Sequence, residues 1–470
     1  MGAMAAQTTV TPASTASITV NNAVANDVFA AYKVVDITYN DGNNTLTKDW
    51  NPNFANYFSG KIANVEAFAA LTDDSEQLKT LLAGLPQYII DHSIAPVKEA
   101  TATGTPVTAT FAGLDMGEYF IRPTSTTSVY QLMLQKIEPT VANVGGVQTY
   151  VIDDVTFNAK HKEVNVTKTA DKTSVTKNEK VTYTIKVDIP TYLDEATDKS
   201  FYVSDKLPDG LTIDPASIEV KVNDAVVSTT AYTLDTTATN DYTFKLSVSG
   251  DQYAGWKANA GINPLVITYT ATLNDNGTTA VNTNETNTVT FDYSNYPYVA
   301  SHVQKTASVD VTTFAIKVDK HEKDHNETKL ANAEFDLYRT VYAGEAGVNI
   351  PHANVQGVLL EHGVTGTDGT LTFEKYEANG DKYKYYLVET KAPSGYNLLT
   401  EAVEVKFTDA DVETTAGIYT VDVENSSGIQ LPVTGGTGTI IFTVIGIALM
   451  AGAVVLLVFS RKKAKTDGNK

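Results

Sequence analysis

The sequence has 470 residues, enough for about three domains of ordinary size. Lys and Arg total 35 against 55 Asp and Glu, a formal net charge of −20, which argues against a nucleic-acid-binding protein because such proteins neutralise phosphates with basic patches. Cysteine is absent, which excludes disulfides, thiolate metal sites and cysteine nucleophiles. The hydrophobic fraction of 42% is high enough for packed cores, so we expect acidic β-domains with some substitute for disulfides.

Residues 1–160 are predicted to form an N-terminal domain, a β-sandwich that follows a disordered start and carries a helical insert. The insert is indicated at 73–86, where Ser75 precedes a leucine repeat and Gly84 and Pro86 close it. The first residues lack the basic and apolar regions of a signal peptide, so we expect the chain to begin near a mature N-terminus.

Strand patterns dominate the rest of the chain up to residue 427. Apolar residues alternate along 181–189, as in a half-buried strand, and the same pattern recurs at 314–318 and 421–425. The predicted fold class is all-β, with tandem immunoglobulin-like β-sandwiches. We place a middle domain at 161–304 and a C-terminal domain at 305–427, followed by a terminal segment at 428–470.

The terminal segment contains an apolar run beside a basic tail. Residues 440–459 are all uncharged and, as a helix, would reach about 30 Å, one hydrocarbon thickness. Arg461, Lys462, Lys463, Lys465 and Lys470 follow, which predicts a transmembrane helix with a cytoplasmic tail.

A pentapeptide, Leu431-Pro432-Val433-Thr434-Gly435, lies directly before this run. Followed by the apolar run and the basic tail, the pentapeptide resembles the sorting signal of Gram-positive surface proteins. Sortases cleave that signal between Thr and Gly. Pro432 favours an extended substrate, and the Thr434 carbonyl would be attacked by the sortase cysteine. The resemblance implies a transient membrane anchor, then attachment to cell-wall peptidoglycan by a housekeeping sortase.

The segment around Glu389, Tyr385 to Tyr396, resembles the E-box of Gram-positive pilins and of collagen-adhesin B-type domains. In those domains a first-strand Lys and a last-strand Asn form an isopeptide bond with the E-box Glu as helper. Side-chain parity selects Lys320 over Lys317, because Lys320 shares its face with 314, 316 and 318, and it selects Asn425 on the last strand.

The middle domain is similar to the collagen-adhesin A-type version of this arrangement. The resemblance assigns the Lys to Lys168, the helper acid to Asp205 and the partner to Asn287, with Asn295 as an alternative of the same parity. Burial would deprotonate the Lys and protonate the acid, so that a neutral amine could attack the amide. In the first domain, Glu118 lacks the E-box continuation, and we predict no bond there.

Lys160 is the predicted acceptor for polymerisation. Residues 151–160 partly match the W-x-x-x-V-x-V-Y-P-K motif of pilus shaft subunits, whose Lys receives the Thr of the next subunit, but they lack the Trp and the Tyr-Pro. Lys162 is the main competitor for this role.

No cofactor is expected. The pattern His321-Glu-x-x-His325 matches a zinc-protease motif, but it follows a strand, whereas zinc-protease chemistry needs both histidines on one helix.

Taken together, these motifs resemble a sortase-assembled major, or backbone, pilin of Gram-positive bacteria. The resemblance implies a structural protein without enzymatic activity on other molecules. Its expected partners are identical subunits in a head-to-tail polymer, a pilin-specific sortase, the housekeeping sortase with peptidoglycan, and ancillary or tip pilins. The alternative is an ancillary pilin or wall-anchored adhesin that binds a host ligand and does not polymerise.

Overall fold

The computed structural model describes residues 8–144, 146–274, 284–342, 344–379, 382–413, 416–428 and 437–466. It is mostly β, with 49% of residues in strands and 13% in helices, and its domains are immunoglobulin-like sandwiches. The predicted all-β fold class is therefore confirmed. The chain divides into two compact units, unit 1 at 1–313 and unit 2 at 314–470.

The N-terminal part of unit 1 combines short sheets with a helical insert. Its strands are β1 (Thr8–Thr9), β2 (Thr15–Asn21), β3 (Val28–Asn40), β4 (Thr45–Trp50), β5 (Lys98–Thr101), β6 (Thr108–Asp115), β7 (Gly117–Ser125), β8 (Val129–Tyr130), β9 (Met133–Ile137), β10 (Thr140–Val144), β11 (Val147–Ile152) and β12 (Val155–Asn158). Its helices are α1 (Ala55–Phe58), α2 (Val65–Ala69) and α3 (Glu76–Asp91). The main sheet has the order β4-β3-β7-β9, with β5 also paired to β3, and a second sheet has the order β12-β2-β6.

Helix α3 confirms the predicted insert but not its predicted end. Ser75 caps the helix, its side chain accepting a hydrogen bond from the Leu78 backbone N–H at 3.3 Å. The helix continues through Pro86 to Asp91, whereas the sequence predicts a stop at Gly84 and Pro86. Pro86 removes one intrahelical donor, and burial of the apolar face on both sides of it offsets that loss.

The rest of unit 1 is a sandwich of two five-stranded sheets. Its strands are β14 (Val166–Ala170), β15 (Lys180–Val187), β16 (Phe201–Lys206), β17 (Leu211–Val222), β18 (Ala225–Val226), β19 (Thr233–Asp235), β20 (Phe244–Val248), β21 (Leu265–Leu273), β22 (Asn284–Ser294) and β23 (His302–Thr312). Before them, β13 (His161–Lys162) pairs with β8 in a separate two-stranded sheet. Three single-turn 3₁₀ helices lie at Thr229–Ala231, Gln252–Gly255 and Lys257–Asn259. The sheet orders are β14-β15-β21-β17-β18 and β19-β20-β16-β22-β23.

Strand β23 bears on the predicted boundary at 304/305. It pairs with β22 over its whole length, from His302 opposite Ser294 to Thr312 opposite Asn284, so its residues belong to the sandwich of unit 1. The division into domains at 1–160, 161–304, 305–427 and 428–470 stays a prediction.

Unit 2 holds a smaller sandwich. Its elements are β24 (Phe314–Glu322), β25 (His325–Lys329), β26 (Glu334–Thr340), β27 (Val348–Asn349), β28 (Gln356–Val364), β29 (Thr370–Tyr376), β30 (Tyr385–Lys391), β31 (Val403–Val405), α4 (Asp409–Glu413), β32 (Ile418–Asn425) and α5 (Thr437–Thr466). One sheet has the order β25-β24-β29, with β32 pairing in parallel to β24, and the other has the order β27-β28-β26-β30-β31.

The predicted apolar run at 440–459 lies within helix α5. Among the residues that the structure describes, no helix has both the length and the apolarity needed to span a bilayer. The sorting pentapeptide lies outside the described residues; its members are Leu431, Pro432, Val433, Thr434 and Gly435.

Candidate functional site

Lys168, Asp205 and Asn287 lie together in the core of the unit 1 sandwich. Alternation along the strands turns all three side chains inward: Lys168 comes from β14, Asp205 from β16 and Asn287 from β22. The side chains of Lys168 and Asp205 are fully buried, and Asn287 has no exposed surface. Because β14 belongs to one sheet and β16 and β22 to the other, the cluster spans the two sheets of the sandwich.

The contacts within this cluster form a compact network around Tyr269 of strand β21. Lys168 Nζ contacts Asp205 Oδ2 directly and donates to the Tyr269 hydroxyl at 2.9 Å. The same hydroxyl donates to Asp205 Oδ1 at 2.9 Å and accepts from Asn287 Nδ2 at 2.7 Å. The three predicted residues are therefore connected through the Tyr269 hydroxyl.

Burial shifts the pKa values of two members of this cluster. Desolvation lowers the pKa of Lys168 and raises the pKa of Asp205, while the attraction between the two opposes both shifts. Both shifts favour the neutral amine and the neutral acid, since removing a charge from water is costly. A neutral amine would be a nucleophile and a neutral acid a proton donor, as the predicted isopeptide reaction needs.

The alternative residue Asn295 lies elsewhere in unit 1. Its amide nitrogen donates to the backbone carbonyl of Thr126 at 2.8 Å, and its Oδ1 accepts from the Ser301 hydroxyl at 2.9 Å. Both polar ends of this side chain are therefore used in contacts away from Lys168. The geometry favours Asn287 as the partner.

Lys320, Glu389 and Asn425 form a second buried cluster, in unit 2. The side chains of Lys320 and Glu389 are fully buried, with Nζ and Oε1 3.6 Å apart, and Asn425 is 1% exposed. Asn425 Nδ2 donates to Glu389 Oε2 at 2.9 Å and to the backbone carbonyl of Asn397 at 2.6 Å. Burial lowers the pKa of Lys320 to about 8 from its ordinary value of 10.5.

Strand register explains why Lys320 and Asn425 meet. Strands β24 and β32 are parallel neighbours, with Lys320 opposite Val423 and Glu322 opposite Asn425. Lys320 and Asn425 are thus diagonal neighbours on one face of the same sheet, and Glu389 approaches from the facing sheet. The first and last strands of the sandwich would be joined by a bond between them.

Two contributors to these clusters were not predicted from the sequence. Tyr269 lies on the inward face of β21 with Leu265, Ile267 and Ala271. The sequence could have indicated it, because a tyrosine stands there among the alternating apolar residues of the strand. The Asn397 carbonyl follows the E-box and left no sequence signal, because any residue supplies a backbone carbonyl.

The zinc-like pattern lies on two antiparallel strands. His321 is buried in β24, while His325 begins β25 and is exposed. Within the described ranges, no group of three or more His, Asp or Glu side chains is arranged to hold a metal ion.

Two family matches cover the C-terminal third of the chain. Residues 314–421 match the SpaA prealbumin-like fold domain, and residues 423–465 match the LPXTG cell wall anchor motif. The first match coincides with the sandwich of unit 2, and the second includes the predicted sorting signal.

Among curated proteins, the chain is 29% identical over 158 residues to the fimbrial subunit type 1 of Actinomyces viscosus and 30% identical over 173 residues to the fimbrial subunit type 2 of Actinomyces naeslundii. These alignments cover 29% and 32% of this chain, and 30% and 32% of the two relatives. The chain thus matches about a third of the length of each relative.

Solved structures share the fold over most of the chain. The major pilin SpaD from Corynebacterium diphtheriae aligns with a TM-score of 0.58 at 20% identity, covering 89% of this chain and 99% of that one. The T6 backbone pilin of Streptococcus pyogenes aligns with a TM-score of 0.61 at 19% identity, covering 84% and 80%. In its fold, its prealbumin-like domain and its LPXTG anchor, the chain is similar to the sortase-assembled major pilins of Gram-positive bacteria, and the anchor places it at the cell wall.

Proposed function

We propose that this chain is the shaft subunit of a covalent cell-surface pilus. A pilin sortase would attack the Thr434 carbonyl with its cysteine, releasing the Gly435 amine and leaving a thioester. The amine of Lys160 on the next subunit would displace the thiol and form an amide. Repetition would yield an open, head-to-tail polymer, because donor and acceptor lie at different places on each subunit.

The observation that carries this proposal is the setting of Lys160. Its side chain is exposed, yet its backbone is held: the Gln131 N–H donates to the Lys160 carbonyl at 2.9 Å, and the Ala159 N–H donates to the Asn21 carbonyl at 2.9 Å. Lys160 also lines a groove of about 390 Å³ whose apolar walls include Leu132 and Phe157. An exposed amine on a fixed backbone beside a groove suits a nucleophile that must meet an extended peptide.

Lys162 is less well placed for this role. It is exposed as well, but its aliphatic stem lies beside Gly261, where an added Cβ would meet Lys162 Cε at 3.4 Å. Both lysines border a second groove of about 490 Å³, whereas only Lys160 borders the first. The geometry therefore favours Lys160 without removing Lys162 as the competitor to be tested.

The two buried clusters would stiffen each subunit. Attack of Lys168 Nζ on Asn287 Cγ, and of Lys320 Nζ on Asn425 Cγ, would each form one amide and release one ammonia. The structure of SpaA from Corynebacterium diphtheriae, which shares the fold at 19% identity and a TM-score of 0.54, is described as pointing to a modular pilus assembly with stabilising isopeptide bonds. Such bonds suit a filament under mechanical load, because they would lower the rate at which each subunit unfolds.

Replacing Lys160 with Ala tests the polymer directly. In cells that carry the pilin sortase, we expect Lys160→Ala to abolish the ladder of high-molecular-weight species in cell-wall extracts, since no acceptor amine remains. Lys162→Ala is the matched control and should leave the ladder intact. Loss of the ladder only in Lys162→Ala would move the acceptor to Lys162. A wild-type chain that never forms ladders would support the adhesin alternative.

A second prediction concerns the pH dependence of unit 2 without its crosslink. In Asn425→Ala, Lys320 stays a free amine whose folded pKa of about 8 lies below its ordinary 10.5. The cost of burying its charge is present in full below pH 8 and disappears as the pH approaches 10.5. The free energy of unfolding should therefore rise by about 3 kcal/mol across that window.

The control for this prediction is Asn425→Ala with Lys320→Met, which removes the titrating group and keeps a long apolar side chain. Chemical denaturation of both variants between pH 7 and 10.5 measures the difference. Equal pH dependence in the two variants would contradict the role that we assign to Lys320.

A further inference from the structure

The hydroxyl of Tyr269 touches every member of the unit 1 cluster. It lies 2.9 Å from Lys168 Nζ, 2.9 Å from Asp205 Oδ1 and 2.7 Å from Asn287 Nδ2. Tyr269 is 1% exposed, and its ring stacks on Tyr183 with a centroid separation of 5.4 Å. A side chain fixed in this way presents its hydroxyl at one position.

The direction of these hydrogen bonds makes Tyr269 the link between the acid and the amide. The hydroxyl accepts from Lys168 and from Asn287 and donates its only proton to Asp205. Asn287 Oδ1 accepts no hydrogen bond from any described residue, so the amide of Asn287 is bound through its nitrogen, to Tyr269. A proton that moves from Asp205 to the amide nitrogen has this hydroxyl as its hydrogen-bonded path.

We propose that Tyr269 is a catalytic residue of the Lys168–Asn287 bond, relaying a proton from the Asp205 carboxyl to the departing nitrogen of Asn287. This inference rests on the proposed function, since it assigns a step within one of the two self-formed crosslinks. It also explains why the helper acid of unit 1 can act although its hydrogen bonds go to Lys168 and Tyr269.

The step balances as follows. The neutral amine of Lys168 attacks Asn287 Cγ and forms a tetrahedral intermediate. As the Cγ–Nδ2 bond breaks, Nδ2 takes the proton of the Tyr269 hydroxyl, which takes the proton of Asp205. The Asp205 carboxylate then takes a proton from the new amide nitrogen. One amide and one ammonia result, and Tyr269 and Asp205 end in their starting forms.

Unit 2 provides an internal comparison. There Glu389 Oε2 accepts directly from Asn425 Nδ2 at 2.9 Å, so acid and amide need no intermediary. A change at Tyr269 should therefore slow the bond of unit 1 and leave the bond of unit 2 unaffected. The two crosslinks of one chain separate an effect on this step from an effect on expression or on the reaction in general.

The test follows ammonia loss in the full chain after cell-free synthesis, with intact mass for the total and peptide mapping for each crosslink. We expect Tyr269→Phe to slow the Lys168–Asn287 bond on the order of a hundredfold, the usual size of a general acid–base contribution. Tyr202→Phe is the matched control, because Tyr202 lies in the same sandwich but on the opposite face of β16 from Asp205. It should react at the wild-type rate.

A second variant guards against a packing defect in Tyr269→Phe. Fluorotyrosine at position 269 keeps the ring and the hydrogen bonds but lowers the pKa of the hydroxyl, so a relay predicts a changed rate and a structural role does not. Wild-type rates in both variants would overturn the relay. A wild-type chain that loses no ammonia from the Lys168 peptide would instead overturn the proposed crosslink itself.

Discussion

Replacing Asp205 with Ala should abolish the crosslink of unit 1 and lower its melting temperature by more than about 10 °C. The reaction loses its proton donor, so Lys168 and Asn287 stay separate and the chain retains one ammonia more than the wild type. In this uncrosslinked variant the buried amine of Lys168 also lacks the carboxylate that it contacts in the structure. Leaving a buried polar group without such a partner costs about 1–3 kcal/mol.

The missing covalent bond adds to this loss. A link between Lys168 and Asn287 closes a loop of about 120 residues, and by the chain-entropy argument used for disulfides such a closure contributes about 5 kcal/mol. The two effects together reach about 7 kcal/mol, and each kcal/mol shifts the melting temperature of a large domain by roughly 2 °C or more. Scanning calorimetry of the full chain measures the shift, and intact mass reports the bond.

Lys168→Met separates the two contributions. This variant also lacks the crosslink, but it leaves a buried acid that can stay protonated, because burial already raises the pKa of Asp205. It should therefore melt above Asp205→Ala although both lack the bond. If Asp205→Ala reacted like the wild type, the helper role of Asp205 would be wrong.

Strand parity and family resemblance together account for what could be predicted about the two clusters. Parity selected Lys320 and Asn425, whereas the resemblance supplied Asp205 and Asn287, and all four residues are buried. Parity works here because the sandwich cores are apolar, so an inward charged or amide side chain stands out against its neighbours.

Parity could not decide questions that depend on packing between elements. Asn287 and Asn295 share one parity in the sequence, but Asn295 lies just past the end of β22 and contacts Thr126 and Ser301. Tyr269 belongs to the sheet facing Asp205, so its role depends on how the two sheets superpose, which no single strand encodes. The predicted end of α3 was wrong for a similar reason. Burial of the apolar face of the helix outweighed the local cost of placing Pro86 inside it.

The second large effect is expected when unit 2 is pulled along the chain. A Lys320–Asn425 bond joins the first and last strands of the sandwich, so force entering at β24 would pass straight to β32. The wild-type chain should then give no extension from the residues between the two. Glu389→Gln keeps the size of the side chain but cannot serve as the acid, so the bond should not form.

Without that bond, about 105 residues become free to extend, which adds a contour length of about 350 Å in single-molecule force spectroscopy. Glu404→Gln is the matched control. Glu404 lies on the neighbouring strand β31, pairs with Lys384 and has a side chain that is 42% exposed. Its replacement should therefore leave the force–extension curve like that of the wild type. A full extension of the wild type would exclude the bond. No extension in Glu389→Gln would show that the bond forms without this acid, because β24 and β32 would still be joined covalently.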